Sequence, residues 1–371
     1  MKKPILLMIV VVWILSGVLP AAEKPEPFGV TPYGYLKFDL IYETGLSYPG
    51  NYALWAREPV SERGVFHLTA NQTRIGLDIR TPGFGKFAVS GKVEIDFYGG
   101  GNENQAFNFM RHAYIRITDG SFTLIAGQYW DLIAPLNPFT LNYPVLWGAG
   151  NIGYRRPQLR VEEVISLGKS RLILQAGLFR TISGDLDEDG LDDGTAAGFP
   201  TLQGRIAGRF PLGEKTNFQI GISGHTGKSR GTISYTTRSL NIDLSLIVSD
   251  HFQMLAEVFT GQNLGTYLGG IKQSVTPFYA KEIRSRGFFL SARGALSPRL
   301  TLNLGYGMDD PEDGDLFLTG RSRNVTYHCN LMAKMTENLS AGLELSNWVT
   351  DYIHLDQQHN FRIQHSWILH F

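Results

Sequence analysis

The chain has 371 residues, of which 43% are hydrophobic and only 18% charged, against ~25% charged in ordinary soluble domains. Lysine plus arginine equals aspartate plus glutamate at 34 each, so no net field recruits nucleic acid. One cysteine excludes a disulfide framework and a multi-cysteine metal site, while the 42 glycines have no fixed period and apolar residues run the whole length, which excludes collagen and long disorder.

In chain order, Lys2 and Lys3 precede an apolar run from Ile5 to Leu19, followed by Ala21 and Ala22 and then Glu23-Lys24. The order basic, apolar, small is that of a secretory signal peptide, and the run is short for a spanning helix, which needs ~20 residues. Residues 1–22 are expected to be a leader for Sec-type export, cleaved after Ala22, although Pro20 fits the cleavage pattern poorly; an uncleaved anchor is the alternative. No later stretch reaches 18 uninterrupted apolar residues, so membrane-spanning helices are excluded from the body of the chain.

From Tyr33 onward the period is two. Phe87, Val89, Gly91, Val93, Ile95 and Phe97 alternate with Lys86, Ala88, Ser90, Lys92, Glu94 and Asp96; Leu240, Ile242, Leu244, Leu246 and Val248 alternate with a more polar set. Such alternation means strands with one apolar and one polar face. The runs are about ten residues, longer than the ~5–6 of soluble strands and close to the ~9–11 that a tilted strand needs to cross a bilayer.

Sixteen runs are predicted, near 34–42, 66–80, 85–98, 108–118, 121–129, 157–166, 171–181, 199–210, 216–226, 231–248, 252–261, 284–295, 299–308, 321–335, 338–348 and 360–371. Every second connection is a tight turn, such as Thr81-Pro82-Gly83, Asp119-Gly120 and Pro211-Leu212-Gly213. The others are mostly long: 43–65, 99–107, 130–156, 182–198, 262–283, 309–320 and 349–359. An even strand count with short turns on one rim and long loops on the other is the pattern of an all-β transmembrane barrel, with short periplasmic turns and long extracellular loops. Residues 23–371 are assigned to it. Closure removes the open edge that lipid cannot satisfy. The last run ends on Phe371, a terminal Phe on an alternating strand of the kind read by the outer-membrane assembly machinery. Tyr35, Tyr98, Tyr129, Trp130, Tyr306 and Trp367, near run ends, are expected in interfacial girdles.

The connection 130–156 reads WDLIAPLNPFTLNYPVLWGAGNIGYRR. Trp130, Phe139, Tyr143, Trp147 and Tyr154 make it too apolar for a solvated loop. Structureless loops this long are usually functional or disordered, and disorder does not suit so many aromatics. The expectation is that this third long loop folds into the lumen and constricts it, with Asp131 meeting wall groups such as Arg74 and Arg116; packing on the rim or on a neighbouring subunit is the alternative. Pro135, Pro138 and Pro144 would stiffen its path, and Gly148, Gly150 and Gly153 would turn it back.

Five segments around this loop resemble a known family: Gln72-Thr73-Arg74-Ile75-Gly76-Leu77, Val93-Glu94-Ile95-Asp96-Phe97-Tyr98, Arg111-His112-Ala113-Tyr114, Ala126-Gly127-Gln128-Tyr129-Trp130 and Arg155-Arg156-Pro157-Gln158-Leu159-Arg160. They resemble the general bacterial porin superfamily and, within it, the DcaP-like outer-membrane porins, over about the first half of the mature chain. The resemblance implies a homotrimer, an inward third long loop and diffusion of small, often anionic solutes. Members of that family often carry a helical heptad segment before the barrel, for which Glu23 to Pro32 leaves no room.

In a sixteen-stranded barrel the lumen holds water, and its lining sets selectivity. Parity turns Arg74, Arg80, Lys92, Arg116, Arg160, Arg205, Arg209, Arg293 and Arg362 inward, against Asp78, Glu94, Asp96, Glu162, Asp243, Glu257 and Glu344. With Asp131 the only acid of the 130–156 loop against Arg155 and Arg156, the bias to anions is slight. The pore-lining set is therefore taken as Arg74, Asp78, Glu94, Asp96, Arg116, Asp131, Arg155, Arg156, Arg160, Arg205 and Arg209; lumen salt bridges that stiffen the wall are the alternative role.

The external 182–198 loop carries Asp185, Asp187, Asp189, Asp192 and Asp193. Carboxylates at alternate positions followed by Gly190 resemble the front of a calcium loop, but Ala196 stands where the bidentate Glu belongs; a solvated acidic loop is the alternative. No cofactor is required otherwise. There is no Gly-x-Ser-x-Gly or His-Glu-x-x-His motif, and His112, His225 and His328 have no evident nucleophile partner, so no enzymatic activity is expected. The reading is an outer-membrane porin in a Gram-negative envelope, embedded in outer-membrane lipid and passing small hydrophilic solutes by passive diffusion. The rivals are a binding or adhesion barrel with a plugged lumen, and a barrel hydrolase.

Overall fold

The computed structural model describes residues 27–58, 64–101, 103, 105–276 and 280–371, so the expected leader lies outside the described residues. The chain forms a closed antiparallel barrel of sixteen strands. They are β1 (Gly29–Glu43), β2 (Val65–Thr69 continued by Arg74–Phe84), β3 (Phe87–Asp96), β4 (Phe109–Asp119), β5 (Phe122–Trp130), β6 (Arg155–Leu167), β7 (Ser170–Phe179), β8 (Thr201–Pro211), β9 (Thr216–Arg230), β10 (Ser234–Val248), β11 (Phe252–Gln262), β12 (Arg284–Ser297), β13 (Leu300–Pro311), β14 (Arg321–Lys334), β15 (Leu339–Tyr352) and β16 (Leu355–His370). Each strand pairs with its sequence neighbours, and β1 closes the ring on β16 with Tyr35 opposite His370 and Glu43 opposite Arg362. The chain end is stitched in by two backbone bonds of 3.2 Å between Phe371 and Gly34. No helix among the described residues is long and apolar enough to cross a membrane.

The alternation in sequence becomes two faces. Outward side chains such as Leu36 and Phe38 on β1, Ile206 on β8, Leu240 and Ile242 on β10, and Leu343 and Leu345 on β15 are exposed around the ring. Apolar surface in a continuous band far exceeds the largest patch of an ordinary soluble monomer, ~300–600 Å²; lipid is the solvent that suits it. The inward positions are largely polar and buried, among them Asp39, Gln203, Asn241, Asn303, Asn330 and Gln364.

Two of the barrel's irregularities re-aim lumen side chains. In β2 the residues 70–73 interrupt the strand: Thr69 lies opposite Asp39 and Arg74 opposite Tyr35, so five steps on β2 face four on β1 and the inward positions change from odd to even. In β4 a bulge sets Glu94 opposite His112 and Ile95 opposite Met110, leaving Arg111 as the extra residue. A bulge re-aims a side chain, and Arg111 is buried inside beside His112. The expected turn at Thr81-Pro82-Gly83 is displaced: β2 runs on past a register shift to Phe84, paired with Phe87, and the turn is Gly85-Lys86 with Gly85 at φ 53°.

Four of the six expected girdle aromatics are not lipid-facing. Tyr35 lies beneath Arg74, Tyr129 beneath Arg160, Trp130 beneath Arg155, and Tyr98 packs on Tyr143. Parity accounts for two of them: Tyr35 shares a face with Lys37 and Asp39, and Tyr129 with Ile125, which is opposite Arg160. Tyr306 and Trp367 do face outward.

The third long loop enters the barrel, but it is not alone. The first long connection forms a hairpin, Leu46–Pro49 with Ala53–Arg57, and the connection after β11 forms two short 3₁₀ turns. All three meet in one apolar cluster of Leu54, Trp55, Tyr143, Trp147 and Ile271.

Candidate functional site

The 130–156 loop leaves the wall at β5, reaches the opposite side and returns to β6. Its backbone is held by inward side chains of distant strands. Leu132 N–H donates to Gln203 on β8 (2.8 Å), Leu136 N–H to Glu257 on β11 (2.7 Å), Phe139 N–H to Ser291 on β12 (3.1 Å) and Leu141 N–H to Glu344 on β15 (2.6 Å). The Leu141 carbonyl accepts from Lys37 on β1 (2.7 Å), and Asn324 on β14 donates to both Gly148 O and Leu54 O, tying the first and third loops together. The expected glycines do turn the loop, with φ of 70° at Gly148, 102° at Gly150 and 94° at Gly153. Gly150 is also a steric requirement: a Cβ there would stand 1.9 Å from the Phe288 carbonyl oxygen on β12. Burial pushes the Tyr143 hydroxyl up to about 12, Arg155 and Arg111 opposing and Asp96 reinforcing the rise, so it stays protonated and donates to Asp96 (3.0 Å).

The charges divide into two populations. Most acids are already committed. Glu94 and Asp96 are each 2.7 Å from Arg111, with Arg74 a further 3.6 Å from Glu94. Asp243 holds Arg205 in a bidentate pair at 2.8 and 2.6 Å. Asp131 pairs with Arg156 (2.9 Å) and accepts from Gln203 (2.6 Å), both charged side chains being fully buried. It therefore does not meet Arg74 or Arg116. Glu43 pairs with Arg362 (2.9 Å). Glu344 spends both oxygens on the Leu141 and Asn142 amides, and Glu257 one oxygen on the Leu136 amide. Lys92 pairs with Asp78 (3.0 Å).

On the β4–β6 wall, Arg116, Arg155 and Arg160 have no ion pair among the described residues; across the lumen Arg293 also has none, resting on Asn303 (3.0 Å) and the Phe139 ring. Aromatic rings hold the three on the β4–β6 wall instead. Arg160 lies 4.6 Å from the Tyr129 centroid, and Arg116 lies 5.4 Å from Tyr114 and 6.0 Å from Tyr129. Arg155, almost fully buried, sits among Trp130, Tyr154, Phe109 and Trp147 at 4.7–5.7 Å. A ring orients a guanidinium through its quadrupole without cancelling the charge. Arg74 and Arg116 remain partly open to the lumen, and the exposed Arg209 near the short-turn rim has no ion pair among the described residues. The wall from β2 to β6 is thus positive and aromatic, facing the side where loops consume the acids. The bulged Arg111 and the β1 trio Lys37, Asp39 and Glu43 complete this lining; the trio alternates with Leu36, Phe38 and Leu40, a signal that parity carries, whereas nothing in the sequence marks the bulge.

On the external rim, Asp185, Asp187 and Asp193 bring one carboxylate oxygen each within 4.8 Å of the others. Asp189 and Asp192 do not join them: Asp189 accepts from Leu191 N–H, and Asp192 caps the one-turn helix Asp193–Ala196 through Gly194 and Thr195 N–H.

No protein-family profile and no curated protein sequence matches the chain. Solved structures do. The outer-membrane channel DcaP of Acinetobacter baumannii is 18% identical, covers 95% of this chain and 100% of its own, and superposes with a TM-score of 0.78. An anion-selective porin from Comamonas acidovorans is 11% identical, with 93% and 100% coverage and a TM-score of 0.61. In-vitro folded OmpT of Vibrio cholerae, in its trimer form, is 11% identical, with 92% and 100% coverage and a TM-score of 0.56. The chain has the fold of the outer-membrane porins, as the five sequence segments imply.

Proposed function

We propose that this chain is an outer-membrane porin that lets small hydrophilic solutes diffuse passively, with a preference for anions. The observation that carries the reading is the sorting of charge: most acids of the lumen are paired or bonded to loop amides, while Arg116, Arg155 and Arg160 on one wall have no ion pair among the described residues. Fixed donors and charges lining a narrow aqueous path select the ion that passes. The anion-selective porin among the similar structures supports the same sign. A homotrimer, export by the Sec route and recognition of the Phe371-ended strand by the assembly machinery belong to this reading; the trimeric OmpT supports the first.

A plugged barrel used for binding is the second reading, favoured by the three loops that converge inside. Planar bilayer recording separates the two. The porin gives stepwise conductance in multiples of three and a reversal potential of anion-selective sign in a KCl gradient. Folded protein that leaves the bilayer silent would establish the plugged barrel instead.

A further inference from the structure

The acidic loop between β7 and β8 holds a feature that solvation does not explain. Asp193 is 1% exposed, and neither of its carboxylate oxygens has a hydrogen-bond partner. Asp187 Oδ1 is likewise buried without one, and its Oδ2 receives only a long 3.5 Å contact from the Thr232 hydroxyl. Asp185 turns toward the same point while accepting from the Asp189 and Gly190 amides (3.1 and 2.9 Å). An unpaired carboxylate out of water is strongly disfavoured, and here two others face it within 4.8 Å. The chain opposite makes room. Gly231, at the β9–β10 tip, would with a Cβ stand 2.9 Å from Asp193 Oδ1 and 3.0 Å from Asp187 Oδ2.

We propose that Asp185, Asp187 and Asp193 bind a calcium ion that fastens the external 182–198 loop to the tip of the β9–β10 hairpin. The donors are all oxygen, which excludes the softer metals that favour nitrogen and sulfur. They come from an external loop beside a glycine tip, and calcium accepts irregular six- to eight-fold oxygen coordination where magnesium demands a near-ideal octahedron. The ligand set is narrower than five aspartates, because only Asp185, Asp187 and Asp193 bring oxygens within 4.8 Å of one another.

The test is calorimetric titration of calcium chloride into the full-length, detergent-purified barrel after chelator treatment, with folding of each variant checked by heat-modifiable gel mobility. One ion per chain is expected, with a dissociation constant of roughly 10⁻⁴–10⁻³ M, as in extracellular calcium modules, and with weaker magnesium binding. D193N and D187N should weaken uptake by about tenfold or more, and G231V, which keeps every carboxylate, should do the same by filling the cradle, whereas D189N should bind as the parent does. Calcium should also slow cleavage after Glu188 by a glutamyl protease in the parent but not in D193N. No saturable uptake, or uptake that D193N and G231V leave unchanged, would overturn the site. Equal losses in D189N and D193N would overturn it too, by showing a diffuse acidic screen.

Discussion

At the scale of single residues, the lumen separates charge that acts from charge that only holds. A buried pair such as Arg156–Asp131 offers no net field to a passing ion, whereas Arg116 and Arg160 keep theirs because tyrosine faces orient them. Replacing Arg116 and Arg160 together by Gln should lower the anion-to-cation permeability ratio by about two- to threefold, the effect of a change on the order of RT per ion; reversal potentials in a KCl gradient read it, and an unchanged ratio refutes the assignment. Arg156→Gln should instead cost stability, about 3–5 kcal/mol, because Asp131 would be left buried and unpaired. A second residue-scale test lies outside the membrane. Asp315, in the loop after β13, would be raised by burial, but hydrogen bonds from Arg284 (2.7 Å) and Lys281 outweigh this and hold its carboxyl at about 2. The folded value lies below the ordinary ~3.9, so the stability contributed by this anchor is present above that value and is lost as pH falls through about 2. A carboxyl NMR titration should show Asp315 still ionised at pH 3; a midpoint near 4 would show that the anchor contributes nothing.

At the scale of elements, the strands were legible because lipid outside and polar groups inside force a strict period of two. All sixteen runs and the closing Phe371 strand follow from it. The third loop was legible for the opposite reason, since its aromatics have no stable place in water. The same logic applies to Ala53-Leu54-Trp55-Ala56 and to Leu264 and Ile271, apolar residues within supposedly external connections; their inward folding was signalled but hidden by the shorter apolar stretches. Arg111 was not legible at all, because a bulge adds one residue without a compositional mark. In the site, the acids that parity turned inward did go inward, but which of them the loop amides would occupy depends on partners over a hundred residues away, such as Leu136 N–H with Glu257 and Leu141 N–H with Glu344. If this loop narrows the path, deleting residues 137–149 should raise single-channel conductance and admit larger solutes. Gly150→Val, which collides with the Phe288 carbonyl and forbids the φ of 102°, should move conductance in the same direction; unchanged conductance in both would place the loop outside the limiting section.

At the scale of the molecule, a formal net charge of zero conceals an asymmetric interior. Positive charge on the β2–β6 wall faces a side where carboxylates are bonded to the backbone of the inward loops, and in the proposed porin solutes pass along that wall. Such a wall enriches anions only within the reach of its field. That reach is ~10 Å at 0.1 M salt and ~3 Å at 1 M, against a path that loops have narrowed. Selectivity should therefore depend on ionic strength: reversal potentials measured at a constant concentration ratio should show stronger anion preference when the mean salt is about 0.05 M than when it is about 1 M. The Arg116→Gln/Arg160→Gln variant should lose most of this dependence, since without those charges salt has little left to screen. A preference that stays constant across this range in the parent would place selectivity in direct contacts at the narrowest section rather than in the field of the arginine wall.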